Sequence, residues 1–290
     1  MITIKTIHGR SATVNSDYTL DQSWENYTQE EHDRWDKLYW RQAQVLEGKA
    51  CEQFLEGLKK LRLSKGGIPN YERLSKRLYD ETGWTVVAVP DLVPDPVFFE
   101  HLANKRFPAA NFIRGAHQMD YIEEPDLFHD IFGHVPMLAH QSFADYMEAY
   151  GKLGVRAIKE GLLKNLASLY WFTVEFSLIK SENGMKVFGA GIFSSKVETE
   201  FSLNNPSPNR IEFDLLRVMR TDYRNDDFQQ TYFYINNYEE LANAIHQNFD
   251  WIFDHLKGQN MIPQGVVLDS DIIYDLGTQQ YDEDKSLRSG

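Results

Sequence analysis

Apolar residues recur at helical spacing early in the chain, first at Trp35, Leu38, Tyr39, Val45 and Leu46, then at Phe54, Leu55, Leu58 and Leu61. That period predicts two amphipathic helices, the first opened by a capping box from Thr28 to Glu31 and stopped near Gly48. Gly66-Gly67-Ile68-Pro69 reads as a turn, Asn70 as the cap of a third helix, and residues 84–89 as a short β-rich run before Pro90. Helices are expected over 142–161 and 165–180, the second with Trp171 and Glu175 one turn apart on one face. Residues 185–188 and 231–235 read as short strands. Leu241, Ala244, Ile245, Phe249, Ile252 and Phe253 predict one long helix over 238–256. The ends are polar and lack a sustained period, so residues 1–27 are expected to be an extended or poorly ordered arm and 276–290 a mobile tail. Residues 28–275 then form a single domain, mainly α with short β-strands (α+β).

Composition narrows the class. With 42% hydrophobic residues in 290, one large domain can bury a sizeable core. There is no long apolar run, and the first ten residues lack the apolar core of a secretory signal. The single cysteine, Cys51, excludes an internal disulfide framework and fits a reducing compartment, which makes the cytoplasm the expected location. A net charge of -13 would repel nucleic acid and anionic membrane surfaces. No internal repeat, low-complexity linker or Gly-rich phosphate loop points to a nucleotide-binding or second domain.

The chemistry concentrates in Pro125-Asp126-Leu127-Phe128-His129-Asp130-Ile131-Phe132-Gly133-His134-Val135-Pro136. Two imidazoles five residues apart diverge by about 140° on an unbroken α-helix, because each residue advances ~100°. Gly133 offers a remedy: in the left-handed conformation it would reverse the chain after the last helical turn, and Pro136 would keep the helix from resuming. His129 and His134 would then converge on one ion. Glu175 interrupts the aromatic run Leu169 to Phe176, and a buried carboxylate without a partner is costly. Two histidines and one carboxylate form the facial set that holds non-haem Fe(II) with open positions. The plainer alternative is a pair of hydrogen-bonded histidines and a glutamate paired with an arginine.

The wider pattern resembles the pterin-dependent aromatic amino acid hydroxylases, most closely the compact bacterial members that act on phenylalanine. It is carried by Ile113-Arg114, Glu124-Pro125-Asp126, Gly133-His134-Val135-Pro136, Tyr170-Trp171-Phe172-Thr173-Val174-Glu175-Phe176 and Gly189-Ala190-Gly191-Ile192-Phe193-Ser194-Ser195 with Glu198. Their order and spacing match the family's catalytic domain from about residue 85 to 250. The chain is too short for the regulatory domain and oligomerising helix of animal members, so the resemblance implies an unregulated monomer or simple homodimer.

The resemblance implies that Fe(II), held by His129, His134 and Glu175, and a tetrahydropterin together activate O2. The pterin is consumed as a two-electron cosubstrate while L-phenylalanine is hydroxylated to L-tyrosine. Arg114 is the candidate for the substrate carboxylate, since guanidinium offers a planar bidentate fork. Asp126 would hold that arginine, cap the short helix, or both. Trp171 and Phe176 resemble the family's aromatic pocket, Ser194 and Ser195 its polar contacts near the amino acid backbone, and Tyr121 and Pro125 its entrance. For the pterin the resemblance points to Leu92, Val93, Asp95 and Phe98, with Phe98 stacking on the ring. Asp130 would reach the pterin through water, and Ala167 and Tyr170 would border it. Pro94, Asp95 and Pro96 depart from the animal pattern. Trp171 favours phenylalanine or tyrosine over tryptophan as substrate.

Two other readings of the same residues are a zinc hydrolase, for which Asp130 is the only evident general base, and a binding protein with a structural metal. Neither the helical His-Glu-x-x-His arrangement nor a fourth ligand is present to favour them. His8, His32, His101, His117, His140, His246 and His255 show no ligand spacing and read as surface or packing residues.

Overall fold

The computed structural model describes residues 1–6, 11–120, 122 and 124–282. His8, Tyr121 and the tail from residue 283 lie outside these. Within the stretch expected as an arm, Ile2–Lys5 (β1) pairs antiparallel with Ser11–Val14 (β2). The arm is then fastened by aromatic anchors. The Trp24 indole donates to the Ile68 carbonyl at 2.7 Å and the Tyr27 hydroxyl to that of Asn111 at 2.6 Å.

The expected capping box opens Gln29–Val45 (α1): the Thr28 hydroxyl accepts from the Glu31 N–H, and the Glu31 carboxylate from that of Thr28. Glu52–Lys60 (α2) follows, and Trp35, Leu38, Leu46, Phe54, Leu58 and Leu61 are all buried. Asn70 caps Tyr71–Thr82 (α3) as expected, through its side chain and the Arg73 N–H. Thr85–Val89 (β3) and Arg106–Ala110 (β4) pair in parallel, with Asp95–Ala103 (α4) as their crossover.

A π-helical turn, His129–His134, leads into Val135–Leu138 (α5), Gln141–Glu160 (α6) and Leu163–Tyr170 (α7). Helix α6 lies close on α4 because Gly154 and Gly151 face it. A Cβ on Gly154 would stand 1.8 Å from the Phe99 ring, and one on Gly151 2.4 Å from the Ala103 backbone.

The helix expected over 165–180 ends at Tyr170. A second π-turn, Trp171–Glu175, follows, closed by the Phe176 N–H donating to the Trp171 carbonyl at 2.8 Å. The chain then becomes strand at Ser177–Ser181 (β5), which pairs with Gly184–Val187 (β6). Ala190–Phe193 (α8), Lys196–Asn204 (α9), Asn209–Glu212 (β7) and Leu215–Met219 (α10) lead to Thr231–Ile235 (β8). The expected helix over 238–256 is two, Glu239–Ile245 (α11) and Phe249–Leu256 (α12), because the Asn248 side chain accepts from the Asp250 and Trp251 N–H groups and starts a new helix. The apolar positions of both halves are buried, so their period hid the break.

Ile273–Asp275 (β9) completes a five-stranded sheet ordered β6-β5-β8-β7-β9. Strand β8, parallel to both neighbours, is buried along its length, as its unbroken apolar and aromatic run requires. The described part of the polar tail is bound to the body: Gly277 N–H donates to Asn209 Oδ1, and the Tyr281 hydroxyl to Asp227, both at 2.9 Å. The architecture is the expected α+β one. Among the described residues no helix is long and apolar enough to cross a membrane.

Candidate metal centre

The two histidines converge by a different route from the one their spacing suggests. Residues 129–134 do not end a helix, Gly133 is absent from the glycines of positive φ, and Pro136 sits in the first turn of α5 instead of blocking it. In a π-turn each N–H bonds five residues back, so a five-residue step returns to nearly the same face. Gly133 is needed for space: a Cβ there would stand 2.8 Å from the carbonyl oxygen of Ala190. The second π-turn carries the third ligand, Glu175, at its C-terminal end.

His129 Nε2 and His134 Nε2 are 3.1 Å apart. Glu175 places Oε1 2.9 Å from His134 Nε2 and Oε2 3.6 Å from His129 Nε2. Neighbouring vertices around an ion with ligands at ~2.1 Å are about 3 Å apart, so the three atoms fit three adjacent positions on one face. Among the described residues this is the only group of three such side chains placed to hold a metal ion. Two imidazole nitrogens and one carboxylate are the donor set that suits Fe(II) and leaves positions open.

The surroundings orient these ligands. Ser194 Oγ lies 2.9 Å from both His129 Nδ1 and the Ala190 carbonyl oxygen. Its single proton goes to the carbonyl, so Nδ1–H is the donor to Oγ and Nε2 keeps its lone pair for a metal. Among the described residues His134 Nδ1 is buried without a hydrogen-bond partner, and its ring is held by Phe107 and Tyr170, with centroids 5.0 and 6.1 Å away. Burial alone would raise the Glu175 carboxyl, but His134 and His129 beside it hold it well below the usual range. Burial pushes Asp130 up to about 6, although His129 and the Ala110 N–H, bonded to its Oδ2 at 2.8 Å, oppose the rise. Ser194→Ala should weaken iron binding roughly 10- to 100-fold. Competition with a chelator reads this directly, and unchanged affinity would show that the hydroxyl does not set the His129 tautomer.

Two cavities meet at the ligands. The larger, about 810 Å³, is lined by His129, His134 and Glu175 and by all seven residues suggested for a pterin: Leu92, Val93, Asp95, Phe98, Asp130, Ala167 and Tyr170. The smaller, about 560 Å³, shares His129 and Glu175 and contains Arg114, Pro125, Trp171, Phe176, Ser194 and Ser195. Tyr121 lies outside the described residues. Asp126 does not line the cavity but stands behind it, where both of its suggested contacts occur. Its carboxylate accepts from Arg114 Nε, Nη2 and backbone N–H at 2.8–2.9 Å, and from the His129 N–H at 3.0 Å. Among the described residues Arg114 therefore keeps Nη1 and one Nη2 hydrogen free as a fork. Ser195 spends its hydroxyl capping α9, accepting from the Glu198 N–H.

Some lining residues escaped the sequence reading. Tyr223 stacks on Trp171 at 4.6 Å and 21°, and buried Gln229 accepts the Trp171 indole proton at 2.9 Å. Both come from the irregular segment between α10 and β8, where no period signals burial.

The sequence pattern described as biopterin-dependent aromatic amino acid hydroxylase matches residues 11–256. The phenylalanine-4-hydroxylase of Caulobacter vibrioides is 54% identical over 274 residues, 94% of this chain and 93% of that protein. That of Chromobacterium violaceum is 47% identical over 279 residues, 96% and 94% of the two chains. A crystal structure of the C. violaceum enzyme with iron and phenylalanine bound superposes with a TM-score of 0.85 at 47% identity, covering 89% of this chain and 94% of that one. With the three-ligand site and its two cavities, these matches place the chain in the family of biopterin-dependent aromatic amino acid hydroxylases.

Proposed function

We propose that this protein hydroxylates L-phenylalanine to L-tyrosine with O2, as an Fe(II)- and tetrahydropterin-dependent phenylalanine 4-monooxygenase. The observation that carries the reading is the meeting of two adjoining cavities at one three-ligand site, with room for a cosubstrate and an aromatic amino acid beside the same metal ligands. Fe(II) and a reduced pterin supply the electrons that ground-state O2 needs before it reacts with a closed-shell ring.

The chain's own residues bind, orient and exclude water. His129, His134 and Glu175 hold the iron. The free edge of Arg114, stiffened by Asp126, takes the amino acid carboxylate through two parallel hydrogen bonds. Trp171, locked between Tyr223, Phe176 and Gln229, gives the ring a rigid wall together with Phe176 and Pro125, and so fixes its approach to the metal. Ser194 and Ser195 border the amino acid's polar end. On the other side Phe98, edge-on to Tyr170 at 5.7 Å, gives a pterin an aromatic face. Leu92, Val93, Asp95 and Ala167 enclose it, and Asp130 offers a carboxyl that holds or yields a proton near neutrality.

Residues 28–275 are read as one catalytic domain. Its setting is read as the cytoplasm, where buried Cys51 stays reduced, and its state as a monomer or simple homodimer. The test is tyrosine formation from phenylalanine in air, with a synthetic tetrahydropterin and Fe(II) either added or chelated. Product requiring both is the expected result. No product from phenylalanine, tyrosine or tryptophan despite bound iron would overturn the reading.

A further inference from the structure

Glu198 stands in the first turn of α9, just beyond Ser194 and Ser195, and lines the smaller cavity with Arg114, His129 and Glu175. It is only 8% exposed. Its Oε1 accepts the hydroxyl proton of Tyr232 from β8, while among the described residues no donor is bonded to Oε2 and no lysine or arginine forms an ion pair with it. Of the other acids lining this cavity, Asp120 pairs with Arg41, Asp227 lies 3.9 Å from Arg224, Glu175 lies between the histidines, Asp226 is exposed and Glu124 is only half-buried, so Glu198 is the buried one among them without a charged partner.

A buried carboxylate bonded to one neutral partner is costly for a fold, because desolvation penalises its charge and, among the described residues, no cation is close enough to form an ion pair with it. Burial pushes the Glu198 carboxyl up to about 7, with Asp227 adding to the rise and Tyr232 and Arg224 opposing it. The missing counter-charge can come from a ligand. A zwitterionic amino acid carries a carboxylate and an ammonium on one carbon, and this cavity offers a guanidinium edge and an unpaired carboxylate beside an aromatic wall.

We propose that Glu198 receives the α-ammonium group of the aromatic amino acid whose α-carboxylate binds Arg114. This rests on the phenylalanine reading above. The contact makes the α-amino group a requirement for tight binding and sets the amino acid's orientation from both of its charged ends.

The test compares L-phenylalanine with 3-phenylpropanoate, which differs only in lacking the ammonium group, by calorimetric binding to the Fe(II)-loaded protein. Wild type should bind the amino acid roughly 10- to 100-fold more tightly, the loss typical of a charge-assisted hydrogen bond. In Glu198→Gln the side-chain oxygen still accepts from Tyr232. Affinity for phenylalanine should therefore fall to near that of the analogue, while affinity for the analogue stays unchanged.

Retained phenylalanine affinity in the variant, or an equal loss for both ligands, would assign Glu198 a structural role only and overturn the proposal. If the variant does not fold, wild type decides alone, since equal binding of the two ligands is enough to refute the contact. Wild type that prefers phenylalanine yet forms no tyrosine would overturn the hydroxylase reading and leave this contact standing. Tyrosine formation with no preference would do the reverse.

Discussion

Glu175→Gln is expected to abolish iron-dependent hydroxylation and to weaken iron binding by more than about 100-fold. Changes to groups that merely orient a metal's ligands typically cost 10–100-fold in affinity, so loss of a charged ligand should exceed that range. Glutamine matches glutamate in volume and can still donate to a histidine lone pair, so the packing of the second π-turn between α7 and β5 should survive. The change removes the negative charge, which here lies 2.9 Å from His134 Nε2 and is held ionised by both histidines. Measuring bound iron under chelator competition alongside thermal unfolding separates the possible roles. Lost iron with little change in unfolding temperature identifies a ligand. Retained iron-dependent activity with a lowered unfolding temperature would mean that Glu175 is a buried partner of the histidines and nothing more.

The metal site was legible because its chemistry lies in residue types that are expensive to bury without purpose. Histidines at 129 and 134 and a glutamate inside an aromatic run announce themselves in any conformation. The backbone that unites them was not legible. A π-turn differs from an α-helix by one extra residue, which leaves apolar periodicity almost untouched, so Gly133 looked like a helix terminator when it is a point of close approach to Ala190. The break between α11 and α12 was hidden in the same way, since Asn248 caps a new helix without disturbing the burial of Ile245 and Phe249.

Long-range polar contacts were the least visible of all. Glu198 and Tyr232 are 34 residues apart, and Trp171 and Gln229 58. Only the folded sheet brings β8 and the segment before it against the cavity. In the sequence Asp126 reads as a partner for Arg114, a helix cap, or both. The structure lets one carboxylate do both because Asp126 has two oxygens, and the Arg114 and His129 backbone N–H groups approach different ones.

That sharing makes Asp126 the position where one substitution should damage fold and site together. Asp126→Ala is expected to destabilise the protein by roughly 3–5 kcal/mol, the usual consequence of removing one partner of a buried ion pair. Asp126 is fully buried and Arg114 only 5% exposed, so on the side away from the cavity the guanidinium would be left without its anion. Two backbone N–H groups would lose their acceptor as well, one of them on His129 itself. The loss should depend on pH in a defined direction. Burial alone would raise the Asp126 carboxyl, but the charge and hydrogen bonds of Arg114, with the His129 N–H, bring it below its ordinary value. A carboxyl depressed in the folded state stabilises fully above its unfolded pKa, about 3.9, and loses that contribution as pH falls towards the folded value. The unfolding temperatures of wild type and variant should therefore differ widely at pH 7 and draw together below about pH 4. A gap that stays constant down to pH 3, or none at pH 7, would show that the ion pair does not support the fold.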